Sequence, residues 1–513
     1  MHSILKTLLV LSIPMLIKYV FLLFSIQFEL VSFEDVIEDI AFFAIIFFLV
    51  YFPLLKIRFY LKAIIIIFLI YVVLETTSYM AVSSNFTSSY MYLLIESNKA
   101  ELTEFTNSYI NIKIVLFFIS VLVSYFILVK NIKPSKKYHL VVPLVSASVI
   151  IIVLKVTGFI ESNAYHNIVR GTYGYYELRK NIKFNTNISK KDIEVTSDNE
   201  VLVVVIGEST TSKNMQIYGY SKETTPLLNS IKDELYIYTS VISSGVITTK
   251  VIPKVLTSLT SKLKSTSVNN ILEVFSKAEF DTYWLSNQRP IGFFDNRISE
   301  IASASKFLKF FNHQNEVKSN SYDGVLIPEF KKVLKKTGKK VIFLHLIGTH
   351  FDYEKRYPKS YTKFGNQPNS TKKQEIINQY DNAIAYNDFV VYSFIEELKN
   401  IDSKSALLYF SDHGENVYHG LDFFGRSENT ITKSMFEIPF LLWTSKDFQF
   451  PKDFYFDYDR QFITDNTYDS LGHLMGIKYI DMDFNKSIFC TSYKKEVRLV
   501  LDGLDFDDEN NFK

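Results

Sequence analysis

The sequence predicts a two-part chain: an N-terminal transmembrane domain of five helices, then an α/β domain on a mostly parallel central sheet. Five apolar runs of about 20 residues crowd the first 160 positions, and continuous β-branched stretches recur after position 200 with helical segments between them. The length of 513 residues is also far beyond the size at which one hydrophobic core stops growing.

The runs cover 4–25, 35–55, 60–80, 113–130 and 138–160. Each is close to the ~20 residues with which a helix crosses a hydrocarbon core about 30 Å thick. The first lacks a small-residue cleavage site and reads as a retained anchor. Lys56, Arg58 and Lys62 separate runs two and three, and Lys130, Lys133, Lys136 and Lys137 separate runs four and five. After run one stand Glu29, Glu34, Asp35, Glu38 and Asp39 instead. Positive loops remain cytoplasmic, so the N-terminus is expected inside and everything after run five outside. In the external segment 81–112, the stretch MYLLIESNKAELTEF carries apolar residues at about helical spacing. It reads either as a short amphipathic helix at the interface or as a loop packed on the bilayer.

The exported part divides into a polar connector, 161–198, and a domain from 199 to 513. The formal net charge of +2 offers no basic field for nucleic acid. Cys490 is the single cysteine, so the chain makes no internal disulfide although its compartment permits one. Three apolar strands are expected, in VLVVVIGES (201–209), KKVIFLHLIGTH (339–350) and SALLYFSDHGE (405–415), with a long helix over 374–400. Strands without polar alternation belong to sheets covered on both faces. All three end in groups able to hold a metal: Glu208, His345 with His350, and Asp412 with His413. Ligands collect at the carboxyl ends of strands in such sheets. A further stretch, VISSGVITTKVIP (241–253), sets adjacent hydroxyls, Thr248 and Thr249, in apolar company, and either is a candidate nucleophile.

The ordered blocks IGESTTSKNMQIYGYSKETTPLL (206–228), SSGVITTKVIP (243–253), YWLSNQ (283–288), HLIGTH (345–350), YDNAIAYND (380–388) and SDHGENVYHG (411–420) resemble those of bacterial phosphoethanolamine transferases. The resemblance implies an alkaline-phosphatase-like (sulfatase) fold for the exported domain and a periplasmic location. Members of that family carry a nucleophilic threonine in a segment like CGTxTAxSxPC. Anchoring on Gly245 and Pro253 places Thr248 at that threonine and Thr249 at the alanine. Ser244 and Lys254 stand where the lipid A enzymes have a cysteine pair, and Val246 replaces a threonine.

The chemistry needs the same residue types. A threonine hydroxyl is a poor nucleophile at neutral pH unless a divalent ion stabilises its alkoxide. Carboxylate and imidazole suit zinc, so Glu208, Asp412, His413 and Thr248 form the expected site, for one ion or two. Charge developing on a transferred phosphoryl group calls for polar partners. The resemblance supplies His350 and His419 near the substrate phosphate, with His345 and Asn287 as further members. It also places Asn98 and Glu101 of the interfacial segment toward an ethanolamine ammonium or an acceptor.

The expected reaction is a two-step transfer in the bacterial inner membrane. Phosphatidylethanolamine donates to Thr248, and a periplasmic glycan accepts: lipopolysaccharide core, lipid A or glucan. The other readings are a glycerophosphate transferase resembling lipoteichoic acid synthase, and a non-catalytic glycan-binding or assembly protein.

Overall fold

The computed structural model describes residues 2–512 except 26–30, 32, 56, 83–84, 98, 133–140, 182, 186–187, 260–266, 289–296, 313–321, 366, 368 and 502. Glu29, Lys56, Lys133, Lys136, Lys137 and the expected substrate residue Asn98 therefore lie outside the described residues. The chain falls into two compact units. The first comprises residues 1–95, 105–177 and 427–430, and the second residues 96–104, 178–426 and 431–513.

The first unit is helical. Each expected apolar run corresponds to a helix: α1 (His2–Ser25), α2 (Phe33–Tyr51), α3 (Arg58–Val82), α6 (Ile112–Asn131) and α7 (Val141–Thr157). Between α3 and α6 stand two shorter helices, α4 (Ser88–Glu96) and α5 (Lys99–Tyr109), so the described part of the segment read as helix or loop is largely helical, and α8 (Ala164–Asn181) follows α7. Among the described residues, Ile4–Ser25, Arg58–Ala81 and Ile112–Asn131 are long and apolar enough to cross a membrane. The other two differ for identifiable reasons. Helix α7 has 17 residues, about 26 Å at 1.5 Å per residue. Helix α2 starts at Phe33 and so takes Glu34, Asp35, Glu38 and Asp39, read above as loop charges, into its own first turns.

Glu34 is exposed, but the other three are not solvated. Asp35, Glu38 and Asp39 are buried, and each has partners. Lys18 of α1 pairs with Asp39 at 2.6 Å, where the Tyr19 and Tyr71 hydroxyls also donate. Tyr71 reaches Glu38 as well, Tyr79 donates to Asp35, and the Asn163 amide donates to Glu38. An ion buried away from water is tolerable only when paired and hydrogen-bonded in this way. Around the knot an apolar core is packed from Leu11, Ile46, Val50, Ile65, Phe68, Val72, Phe117 and Val121.

The second unit is built on a seven-stranded sheet. Its strands are β1 (Val201–Gly207), β2 (Leu235–Ile237), β3 (Asp281–Ser286), β4 (Phe307–Phe310), β5 (Lys340–His345), β6 (Ser405–Ser411) and β7 (Phe440–Thr444), in the order β2-β7-β6-β1-β5-β3-β4. The sheet is mixed. Its four pairings from β6 to β4 are parallel, and β7 runs antiparallel to both of its neighbours.

Every residue of β1, β5 and β6 is buried, because both faces are covered. Leu202, Val204 and Ile206 point to a core shared with Val251, Ile252 and Val255 of α9 (Thr248–Leu256). Val201, Val203 and Val205 point the other way, against Tyr380, Ile384, Val391 and Phe394 of α10 (Lys372–Lys399). The period-2 alternation of an extended strand thus sends neighbouring valines into two different cores.

Candidate metal and transfer site

Register brings the site together. Strands β1 and β6 are parallel neighbours with Gly207 opposite Ser411, so the residues that follow, Glu208 and Asp412, emerge side by side. Glu208 is 1 % exposed, and Asp412 and His413 are fully buried. One ligand atom from each of the three lies within 4.8 Å of the others.

The hydrogen bonds around these groups aim them inward. Oδ1 of Asp412 accepts from the backbone N–H of Ser209 (3.1 Å) and of His413 (2.7 Å). Its Oδ2 is buried without a hydrogen-bond donor, 3.4 Å from Nε2 of His413. Nδ1 of His413 lies 2.8 Å from the Gly414 carbonyl. A carbonyl only accepts, so Nδ1 carries a proton, and Nε2 is the atom turned toward Glu208 Oε1 at 3.3 Å.

Glu208 is clamped through its backbone. Thr349 N–H donates to the Glu208 carbonyl at 3.0 Å, and Gly348 sits so close that a Cβ there would be 2.6–2.7 Å from Glu208 backbone atoms. Gly348 has φ +53° and Ser209 has φ +57°, so both residues flanking the glutamate's position adopt the left-handed region.

Thr248 completes the group. It is the first residue of α9, after Ile247 in extended backbone. Its hydroxyl donates to Glu208 Oε2 at 3.0 Å and lies 3.5 Å from His413 Nε2. The Thr249 hydroxyl is buried without a hydrogen-bond partner, so of the two adjacent threonines it is Thr248 that meets the cluster. Hydrogen bonds hold the loop where the resemblance would place a disulfide. Ser243 N–H donates to Phe436 O (2.9 Å), Ser243 Oγ to Gly245 O (2.8 Å), and Leu501 N–H to Ser244 O (2.9 Å).

The electrostatics call for a cation. Burial pushes Asp412 up to about 7, reinforced by the neighbouring Glu208 charge. Burial opposes the ionisation of Glu208 too, but His413, with His350 and Arg426 nearby, holds it well below the usual range. His413 is raised: burial disfavours its charge, and Asp412 and Glu208 outweigh that. Two facing carboxylates, an aimed imidazole nitrogen, a hydroxyl and an acceptor lacking a donor form a donor set that fits zinc.

The remaining expected residues divide. His350 ends the loop after β5 and is near enough for Glu208 to act on its charge, while burial holds its imidazole well below the ordinary value. His345 lies in the sheet core, edge-on to Trp284 with Nδ1 3.4 Å from Ser286 Oγ, and burial lowers it to about 4. Asn287 donates to Asp323 at 2.9 Å, and Asp323 in turn accepts from the N–H groups of Ile347 and Gly348. Asn287 thereby braces the turn that clamps Glu208. His419 accepts at Nδ1 from Val417 N–H within its own turn, and burial lowers it to about 4. Glu101 lies on α5, and nothing about its side chain is described.

Sequence reasoning missed four neighbours. Gln288 stands one residue beyond Asn287, with its amide 3.5 Å from Glu208 Oε2 and donating to Leu346 O at 2.8 Å. Arg426 donates to Ser209 Oγ (2.6 Å) and Glu415 Oε2 (3.2 Å), 3.9 Å from Glu208 Oε1. Ser209 and Glu415 lay inside quoted blocks and Gln288 ended another; Arg426 carries no spacing signal.

Comparison with known proteins agrees with this geometry. The Sulfatase family model matches residues 200–477. Phosphoethanolamine transferase EptC of Escherichia coli O18:K1:H7 (strain RS218 / NMEC) is 29% identical over 467 residues, spanning 82% of this chain and 81% of that one. The crystal structure of the C-terminal periplasmic domain of EcEptC from Escherichia coli, in complex with Zn, superposes with a TM-score of 0.58 at 31% identity, covering 62% of this chain and 94% of that domain. The integral membrane lipooligosaccharide phosphoethanolamine transferase A of Neisseria meningitidis shares the fold over 95% of this chain and 98% of its own, with a TM-score of 0.71 at 21% identity. The chain accordingly belongs to the sulfatase family and, within it, to the phosphoethanolamine transferases.

Proposed function

We propose that the protein transfers phosphoethanolamine from phosphatidylethanolamine to a periplasmic glycan of the lipopolysaccharide type, through a phospho-threonine at Thr248. The observation that carries this reading is the Thr248 hydroxyl, 3.0 Å from Glu208 at the mouth of the Glu208–Asp412–His413 cluster. On this reading all five apolar helices span the inner membrane, with the second unit in the periplasm. Donor and lipid-linked acceptor then share the bilayer plane with the enzyme.

Glu208, Asp412, His413 and Thr248 would hold zinc. When bound, the ion makes the threonine alkoxide accessible near neutral pH. The chain's own residues do the rest. Glu208 Oε2 accepts the hydrogen bond of the attacking hydroxyl and orients it. The Thr248 oxygen forms the new bond to phosphorus, the bond to the glyceride oxygen breaks, and diacylglycerol departs with the proton. Thr248 heads α9, so the positive end of that helix's dipole lies beside the charge growing on the phosphoryl oxygens. An acceptor hydroxyl or phosphate then attacks the same phosphorus and frees Thr248.

Intact-protein mass spectrometry after incubation with phosphatidylethanolamine tests this. A phosphoethanolamine adduct on Thr248, absent from Thr248→Ala, is expected, together with a fall in transfer of about 10³-fold or more. A glycerophosphate adduct from phosphatidylglycerol would move the donor to the teichoic-acid type. Full activity in Thr248→Ala would remove the nucleophile assignment.

A further inference from the structure

Outside this site the second unit gathers a second set of metal-type ligands. Asp453, His473 and Cys490 each bring one donor atom to within 4.8 Å of the others. His473 stands in the last turn of α11 (Thr467–Leu474) and is 2 % exposed; Cys490 is 1 % exposed; the Asp453 side chain is 45 % exposed and opens the trio to solvent. Asp453 bridges the other two. Its Oδ1 is 3.0 Å from His473 Nε2, and its Oδ2 accepts from Cys490 Sγ at 3.2 Å.

We propose that Asp453, His473 and Cys490 form a second zinc site, separate from the transfer centre, that ties the 451–456 loop and the 487–493 segment to the end of α11.

Four features support it. The donors are one sulfur, one imidazole nitrogen and one carboxylate, a combination that zinc takes readily. The charges of thiolate and carboxylate sum to cancel the ion, so the loaded site is neutral where it is buried. The histidine ring is already oriented, because Nδ1 lies 2.8 Å from the Ser487 hydroxyl, itself fully buried, and this leaves Nε2 as the donor atom. The backbone is fixed too. Phe454 and Cys490 form an antiparallel bridge, Thr491 N–H donates to Asp453 O at 2.9 Å, and Tyr455 N–H to Phe489 O at 2.8 Å.

The proton balance is simple. The thiol proton leaves to solvent, and the imidazole proton moves from Nε2 to Nδ1, where the Ser487 hydroxyl turns to accept it. Tetrahedral ligation at zinc distances spaces such donors roughly 3.3–3.6 Å apart, so the two bridged contacts open by a few tenths of an ångström. Asp453 does this on its solvent side, where a water or Ser492 Oγ, 3.1 Å from Cys490 Sγ, takes the fourth position.

Because Cys490 is the chain's single cysteine, thiolate-to-metal signals can come from nowhere else. The full-length protein in detergent is stripped with a chelator and titrated with cobalt(II) alone. The expected result is a near-ultraviolet thiolate-to-cobalt charge-transfer band that is absent from Cys490→Ser and shifted to at least ~10-fold higher cobalt in Asp453→Asn, with transfer activity of both variants near wild type. X-ray absorption of the zinc-loaded wild type adds a reading that needs no variant, a zinc–sulfur shell near ~2.3 Å. Cobalt or zinc bound with no sulfur in its shell would overturn the proposal, whatever the state of the transfer centre.

Discussion

The two ligand groups of the second unit look alike in composition and differ in what surrounds them. Glu208, Asp412 and His413 extend from adjacent strand ends, and one buried oxygen, Asp412 Oδ2, has no donor at all. Asp453, His473 and Cys490 come from a loop, a helix end and an isolated bridge, and each donor atom already has a partner inside the group. The first arrangement is costly when empty, since buried like charges face one another. The second is satisfied with or without an ion. Sheet register therefore builds a site that demands a cation, whereas local hydrogen bonding builds one that admits it.

Breaking the first group separates the two most sharply. Asp412→Asn is expected to weaken metal binding at the transfer centre by at least ~100-fold and to abolish transfer, while the cobalt–thiolate band at Cys490 persists; metal analysis alongside the spectrum reads both. Gly348→Ala acts on the same group through the backbone. It places a Cβ at positive φ against Glu208, for an expected loss of about 1–3 kcal/mol in unfolding free energy and a parallel loss of transfer. Gly365→Ala, where a Cβ meets nothing within 4 Å, serves as its control and should leave both unchanged.

The second group responds to a gentler change. Ser487→Ala frees the His473 ring and should raise the cobalt concentration needed for the thiolate band about 10-fold, with no effect on transfer. A comparable shift in transfer activity would mean that the two groups are one system.

The smallest effect lies outside both. Asp388 accepts from the N–H groups of Leu227 and Leu228, and burial raises it to about 7. A carboxyl raised in the folded state contributes stability that is present below its ordinary value near ~4 and is lost as pH rises through about 7. Asp388→Asn has no such loss. Its melting temperature relative to wild type should climb across that window, and a pH-independent difference would place the titration elsewhere.

These contrasts also explain what was legible in the sequence. Strands β1, β5 and β6 read clearly because both their faces are covered, and Glu208, Asp412 and His413 read as ligands because they end those strands. The edge strand β4 did not, since FLKF is half exposed and only four residues long. Asn287 drew attention and Gln288 did not, yet Asn287 turns to Asp323 and it is Gln288 that reaches Glu208. Asp453, His473 and Cys490 are irregularly spaced, so only folding brings them together. In α2, Asp35, Glu38 and Asp39, read as loop charges, are buried because Lys18 and three tyrosines reach them from α1 and α3.

That knot bears on how the chain enters a bilayer. On the five-span reading, α2 presents three buried carboxylates in its first turns, and acidic residues within a spanning helix are costly to insert alone. Its neutralising lysine is made before it and most of its hydroxyl donors after it, on α3. On that reading the helix is released into lipid singly only at a cost that the partners on α3 remove. The same reading makes the first three helices one unit of insertion, joined by the knot that none of them satisfies alone.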